Sequence, residues 1–160
     1  PDSAVSKRLK ELHTPAAAPA ITGSFTPPEV LYHMCTKAAW EAVVAKDEAL
    51  FPPTFEADGN FTHATGVPSR LIETANHFYQ AVEGAWVCLR LSRSGLRRRG
   101  ILVRDEQALP VGNQPVGADW GSWICPHILG GIPVDAVDTV LPIVRDGPAF
   151  VRIEGIDDVA

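Results

Sequence analysis

The spacing of apolar residues along the chain changes several times, and each change predicts an element. In Val30-Leu-Tyr-His-Met-Cys35 the side chains alternate, Leu31, His33 and Cys35 on one face and Val30, Tyr32 and Met34 on the other, which is the period of a strand. From Lys37 to about Asp47 the period lengthens to that of a helix, with Thr36 as its N-cap and Ala39, Trp40, Val43 and Val44 as its apolar stripe. Phe51-Pro-Pro53 stops it, because proline lacks the N–H that a helix needs. Asn60-Phe-Thr-His-Ala-Thr65 is β-prone and predicts a short second strand. Leu71, Ile72, Ala75, Phe78, Tyr79 and Val82 return at helical spacing and predict a helix over residues 69–82, with His77 off its stripe.

Ala85-Trp-Val-Cys-Leu-Arg-Leu91 alternates again and reads as the central strand. A basic turn over residues 92–100 leads to a strand at Ile101-Leu-Val-Arg104, the acidic pair Asp105-Glu106, and a glycine- and proline-rich loop over residues 110–121 suited to be a lid. The most constrained stretch is Trp123-Ile-Cys-Pro-His127-Ile-Leu-Gly-Gly-Ile-Pro133. There Pro126 fixes its own φ and biases Cys125 toward an extended backbone, which holds His127 in place. Val134-Asp-Ala-Val137 predicts a short turn or helix, and two final strands join at Asp146-Gly147-Pro148. No internal repeat is present. Strands outnumber the two main helices, so the expected fold is α+β: one compact domain over residues 29–155 with a mixed or mainly antiparallel sheet. Residues 1–28, with Pro15-Ala-Ala-Ala-Pro19, are expected to form an extended arm, and residues 156–160 a tail.

Composition narrows the function classes. A net charge of −5 and a pI near 5.5 argue against a general nucleic-acid or membrane-surface binder. The absence of a long apolar run makes a soluble, cytoplasmic protein the expectation. Cys35, Cys88 and Cys125 are odd in number and widely spaced, so free thiols are expected rather than a disulfide framework or a metal site. Positive charge is nonetheless local: Arg90, Arg93, Arg97, Arg98, Arg99 and Arg104 are six of the ten arginines. They form either a solvated face or a dock for an anion.

Three histidine-bearing segments, Tyr32-His33, Gly59-Asn-Phe-Thr-His63 and Pro126-His127-Ile-Leu-Gly130, stand in the order and spacing of an uncharacterised family. With Trp40, Thr65, the strand ending at Glu106 and the apolar run Ile132, Pro133, Ala136 and Val137, the chain resembles DUF952 over about residues 30–145. Against that family's pattern, Thr65 replaces a serine, Cys125 and Leu129 replace aromatics, and one extra residue precedes Phe61. The resemblance implies kinship with the ADP-ribosyltransferase superfamily, hence a split sheet around a cleft for NAD.

In that reading His33, His63, His127 and Glu106 are the candidate catalytic residues. Tyr32, Phe61, Thr65, Arg90, Arg104 and Trp123 are the candidate cofactor-binding ones, with arginine receiving the pyrophosphate. Glu106 would supply the negative charge that steadies an oxocarbenium-like ribose. Three alternatives stay open. Neutral imidazoles with an open position can hold zinc and activate water. Cys125 and His127 point the same way if their stretch is extended. A module that binds a nucleotide or other small anionic ligand without turnover needs only the cleft and the arginines. The sequence leaves the oligomeric state open.

Overall fold

The computed structural model describes residues 25–156. Residues 1–24 of the expected arm and 157–160 of the expected tail lie outside them. The described chain runs β1 (Val30–Thr36), α1 (Lys37–Lys46), β2 (Thr62–His63), α2 (Pro68–Phe78), β3 (Trp86–Ser92), α3 (Arg93–Arg98), β4 (Val103–Gln107), β5 (Ile124–Ile128), a 3-10 turn (Val134–Ala136), β6 (Val137–Asp146) and β7 (Ala149–Ile153). The class is α+β. Every strand pairing is antiparallel, in a four-stranded sheet ordered β1-β3-β6-β7 and a three-stranded sheet ordered β2-β5-β4. Beside β1 a single backbone bridge links the larger sheet to the residues just after β2. Tyr32 N–H donates to the Thr65 carbonyl at 2.8 Å, and Thr65 N–H donates back at 3.0 Å.

The local signals that define α1 act as expected. Thr36 Oγ1 accepts the Ala39 N–H at 3.2 Å, and Asp47 closes the helix in the left-handed region at φ 53°. The stripe is narrower than its spacing predicts, since Trp40 is buried but Val44 is exposed. The second helix ends four residues before the expected Val82, which stands exposed. The stretch beyond it is held from far along the chain. The Arg145 guanidinium donates to the carbonyls of Gln80, Val82 and Gly84 at 2.6–3.3 Å, so those groups need no helical partner.

Three further expectations are corrected. The basic turn is the helix α3, capped by Ser92 Oγ, which accepts the Gly95 N–H at 3.0 Å. The strand expected at residues 101–104 instead runs Val103–Gln107 and includes Glu106. The strand expected over residues 60–65 shrinks to Thr62–His63, because Asn60 sits at φ 64°, outside the extended region.

β3 is central, flanked by β1 and β6. On one side Leu31, Leu89, Leu91 and Leu96 pack with Trp40, Ile128 and Ile132, joining α1 and β5 to the larger sheet. On the other, Met34, Trp86, Cys88 and Phe150 pack with Leu71 and Ala75 of α2. Cys35 and Cys88 are buried free thiols and Cys125 is a half-buried one. No helix among the described residues is long and apolar enough to cross a membrane.

Candidate functional site

β5 is extended, so Cys125 and His127 share a face. Its neighbours bring further polar groups to that face: His63 of β2 pairs with His127, and on β4 Arg104 pairs with His127 and Glu106 with Cys125. His127 is fully buried, and its Nδ1–H donates to Glu106 Oε1 at 2.7 Å. In the neutral ring that bond leaves the lone pair on Nε2, which is buried and has no hydrogen-bond partner. The Phe61 ring stacks on the imidazole at 4.2 Å and 24°, which fixes its plane.

The other two imidazoles follow the same rule. His33 Nδ1–H donates to the His63 carbonyl at 2.6 Å, and His63 Nε2–H donates to Asp58 Oδ2 at 3.0 Å. Each of the three rings thus commits one nitrogen as a donor and keeps the other as an acceptor. Burial holds them neutral. It pushes His33 and His63 down to about 4 and lowers His127, against the raising effect of the Glu106 carboxylate.

His33, His63 and His127 line one cavity of about 70 Å³. Thr65, Trp123 and Cys125 also line it, and α2 contributes Arg70, Leu71, Thr74 and Phe78. Trp123 stacks on Trp120 at 4.6 Å and 12°, and the Arg70 guanidinium lies 4.9 Å from the Trp123 ring centre. The expected lid loop belongs to the wall, with Val111 and Trp120 buried against Phe78. Burial raises the Cys125 thiol to about 11, so it carries its proton at neutral pH.

The remaining residues expected at the site stand elsewhere. Glu106 is behind His127 rather than on the wall, its carboxylate turned to Nδ1. Phe61 is likewise behind, buried against that imidazole. Tyr32 packs half-buried against the cluster of Met34, Leu71 and Phe150. Arg90 and Arg104 are exposed on their strands, where the guanidinium stays in water. In the rest of the arginine run, Arg93 makes two bonds to Asp105 at 2.8 and 2.9 Å, and Arg99 bonds Asp135 at 3.1 Å.

The cation on the cavity wall is Arg70, which the sequence reading missed together with Thr74, Tyr79, Trp120 and Asp58. A signal existed for the first two: Arg70, Thr74 and Phe78 recur at intervals of four along α2. Asp58 offers none, since a loop carboxylate five residues before a histidine matches no period. Among the described residues no group of three or more His, Cys, Asp and Glu is arranged to hold a metal ion.

The fold is similar to that of protein CC0527 from Caulobacter crescentus, known from X-ray crystal structures of the protein and of a double mutant carrying two added methionines. Both superpose with a TM-score of 0.57 over 76% of this chain and 93% of that one, at 18% and 17% identity. At such identities the likeness is one of fold alone. No curated protein matches the chain. The family described as protein of unknown function (DUF952) matches residues 34–140 of the 160, and the chain belongs to that family.

Proposed function

We propose that the cavity binds a small hydroxylated organic anion, of sugar-phosphate or nucleotide type, and that His127 acts on it as a general base oriented by Glu106. The observation that carries this reading is the Nε2 of His127, a buried acceptor with no protein partner in a ring that lines the cavity. A buried polar atom left unpaired costs about 1–3 kcal/mol, so its persistence in the native state supports a role outside folding. Acceptor nitrogens on His33, His63 and His127 suit a ligand that offers hydroxyl donors. Arg70 suits its negative charge, and the Trp123 face suits a flat ring at the mouth.

ADP-ribosyl transfer is less well served. That chemistry draws on negative charge near the ribose, and no Asp or Glu is among the lining residues. The cavity is also smaller than the roughly 150 Å³ that encloses a benzene-sized molecule, so NAD would enter it by one end only, and a sugar phosphate would likewise place one end inside. Proton abstraction by His127 needs neither feature.

The test is calorimetric titration with NAD, ADP-ribose, ribose 5-phosphate and inorganic phosphate, on the parent and on His127→Asn. The Asn amide nitrogen reproduces the donor to Glu106 and removes Nε2. The expected result is binding by the parent and a loss of roughly tenfold or more in the folded variant, about 1.4 kcal/mol. Equal affinity in the variant, or no binding of any of these ligands by the parent, overturns the proposal.

A further inference from the structure

We infer that Asp58 is a positioning residue that couples closure of segment 108–123 over the cavity to the protonation pattern of His63. The inference rests on the reading of the cavity as a binding site and concerns the regulation of that site. Its starting point is a carboxylate shut off from the surface. The Asp58 side chain is 0% exposed, and its only ion-pair partner among the described residues is His63. Three donors from three segments hold it. Thr54 Oγ–H and His63 Nε2–H donate to Oδ2 at 2.6 and 3.0 Å, and the Gly112 N–H donates to Oδ1 at 2.7 Å.

Gly112 belongs to the segment that covers the cavity. Segment 108–123 has one internal bridge, Val111 with Gln114, and is otherwise fastened at a few points. Besides Asp58 these are His77, whose Nε2–H donates to the Pro115 carbonyl at 2.8 Å, and Glu73, which accepts the Trp120 Nε1–H at 3.1 Å. Val111 and Trp120 are also buried against Phe78, so the segment opens by exposing apolar side chains rather than by breaking a sheet, and a ligand needs such an opening to reach the imidazoles.

Closure and chemistry meet at Asp58. With the Gly112 N–H on Oδ1, the carboxylate is fixed so that Oδ2 takes the His63 Nε2–H, which leaves His63 Nδ1 as an acceptor. When the segment lifts, that anchor goes and only the Thr54 and His63 bonds to Oδ2 remain, so the carboxylate can turn Oδ1 toward water and both His63 tautomers become populated. The closed cavity therefore carries one His63 tautomer and the open cavity a mixture.

Two readouts test this without any ligand, so they stand apart from the outcome of the binding titrations: nitrogen-15 spectra of the imidazoles, which distinguish Nε2–H from Nδ1–H, and hydrogen exchange at the Gly112 amide. The parent is expected to show His63 in the Nε2–H form. In Asp58→Asn the amide oxygen still accepts the Gly112 N–H while the amide nitrogen faces His63, so exchange stays slow and the tautomer reverses. In Glu73→Ala, a change on an exposed residue away from Asp58, exchange at Gly112 should quicken by roughly tenfold or more, with His63 becoming a mixture. An unreversed tautomer in Asp58→Asn overturns the inference. So does Glu73→Ala if either Gly112 exchange or the His63 spectrum fails to change. Should Asp58→Asn not fold, Glu73→Ala decides alone.

Discussion

The two sheets bury different things. In the larger one, β3 presents Cys88, Leu89 and Leu91 with no exposure at all, and apolar clusters cover both faces. Among the described residues, the smaller sheet holds three of the four buried polar side chains, Thr62, Glu106 and His127. Stability therefore resides mainly in the larger sheet, where removal of apolar area from water contributes about 25 cal/mol per Å². The smaller sheet holds polar groups instead. Its polar groups add little net stability when paired and cost much when a partner is lost.

The sharpest break of this contrast is Leu89→Ala. A cavity at the centre of β3 should cost about 2–5 kcal/mol, read as a lowered denaturation midpoint, while Arg70, His127 and the cavity wall stay in place. If stability is barely changed, the larger sheet is not where it resides.

Acid comes next in size, and it acts on the histidines at and beside the smaller sheet. Above pH 6.5 both folded and unfolded chains carry neutral imidazoles, and these groups contribute no pH dependence. Between 6.5 and about 4 the unfolded chain binds protons that folded His33 and His63 refuse, so stability falls as pH falls. Below about 4 both states are protonated and the loss levels off. The total should be on the order of a few kcal/mol. Urea unfolding at pH 7 and pH 4.5 measures it, and replacing His33 and His63 with Gln should flatten the slope over that interval.

Glu106→Ala isolates one partner. It strands the His127 Nδ1–H in a dry interior and should cost about 1–3 kcal/mol, whereas Glu106→Gln keeps an acceptor and should cost less. Equal losses in the two variants would mean that charge rather than the hydrogen bond holds the imidazole.

What the sequence disclosed divides along the same line. The first helix, the central strand and the β6–β7 hairpin were legible because their signals are local: Thr36 caps, β3 alternates, and Gly147-Pro148 turns. The stretch after α2 was not, since its carbonyls are bonded by an arginine more than sixty residues away. Pattern and motif singled out His33, His63 and His127, but that all three line one cavity follows from β2 pairing with β5 while Thr65, just beyond it, bridges Tyr32 of β1. No spacing encodes that choice. Glu106 was read as facing a ligand, and the β4–β5 register turns it to His127 instead.

The smallest expected effect concerns charge. By density along the chain the anion dock would be α3 and its flanks, yet Arg93 and Arg99 are held by Asp105 and Asp135, and Arg97 and Arg98 point to solvent. The lone Arg70 is the one on the cavity wall, half-buried beside Trp123, where a low local dielectric makes its charge count for more than several solvated ones. Replacing Arg97 and Arg98 together with Ala should shift stability by no more than about 0.5 kcal/mol and leave anion affinity unchanged. Arg70→Ala should weaken the binding of ribose 5-phosphate roughly tenfold or more while leaving the chain folded. Titrating both variants with the same ligand sets run against wall. Loss of affinity in the Arg97 and Arg98 double variant alone would move the site to the arginine-rich helix and leave the histidine cavity without its anion.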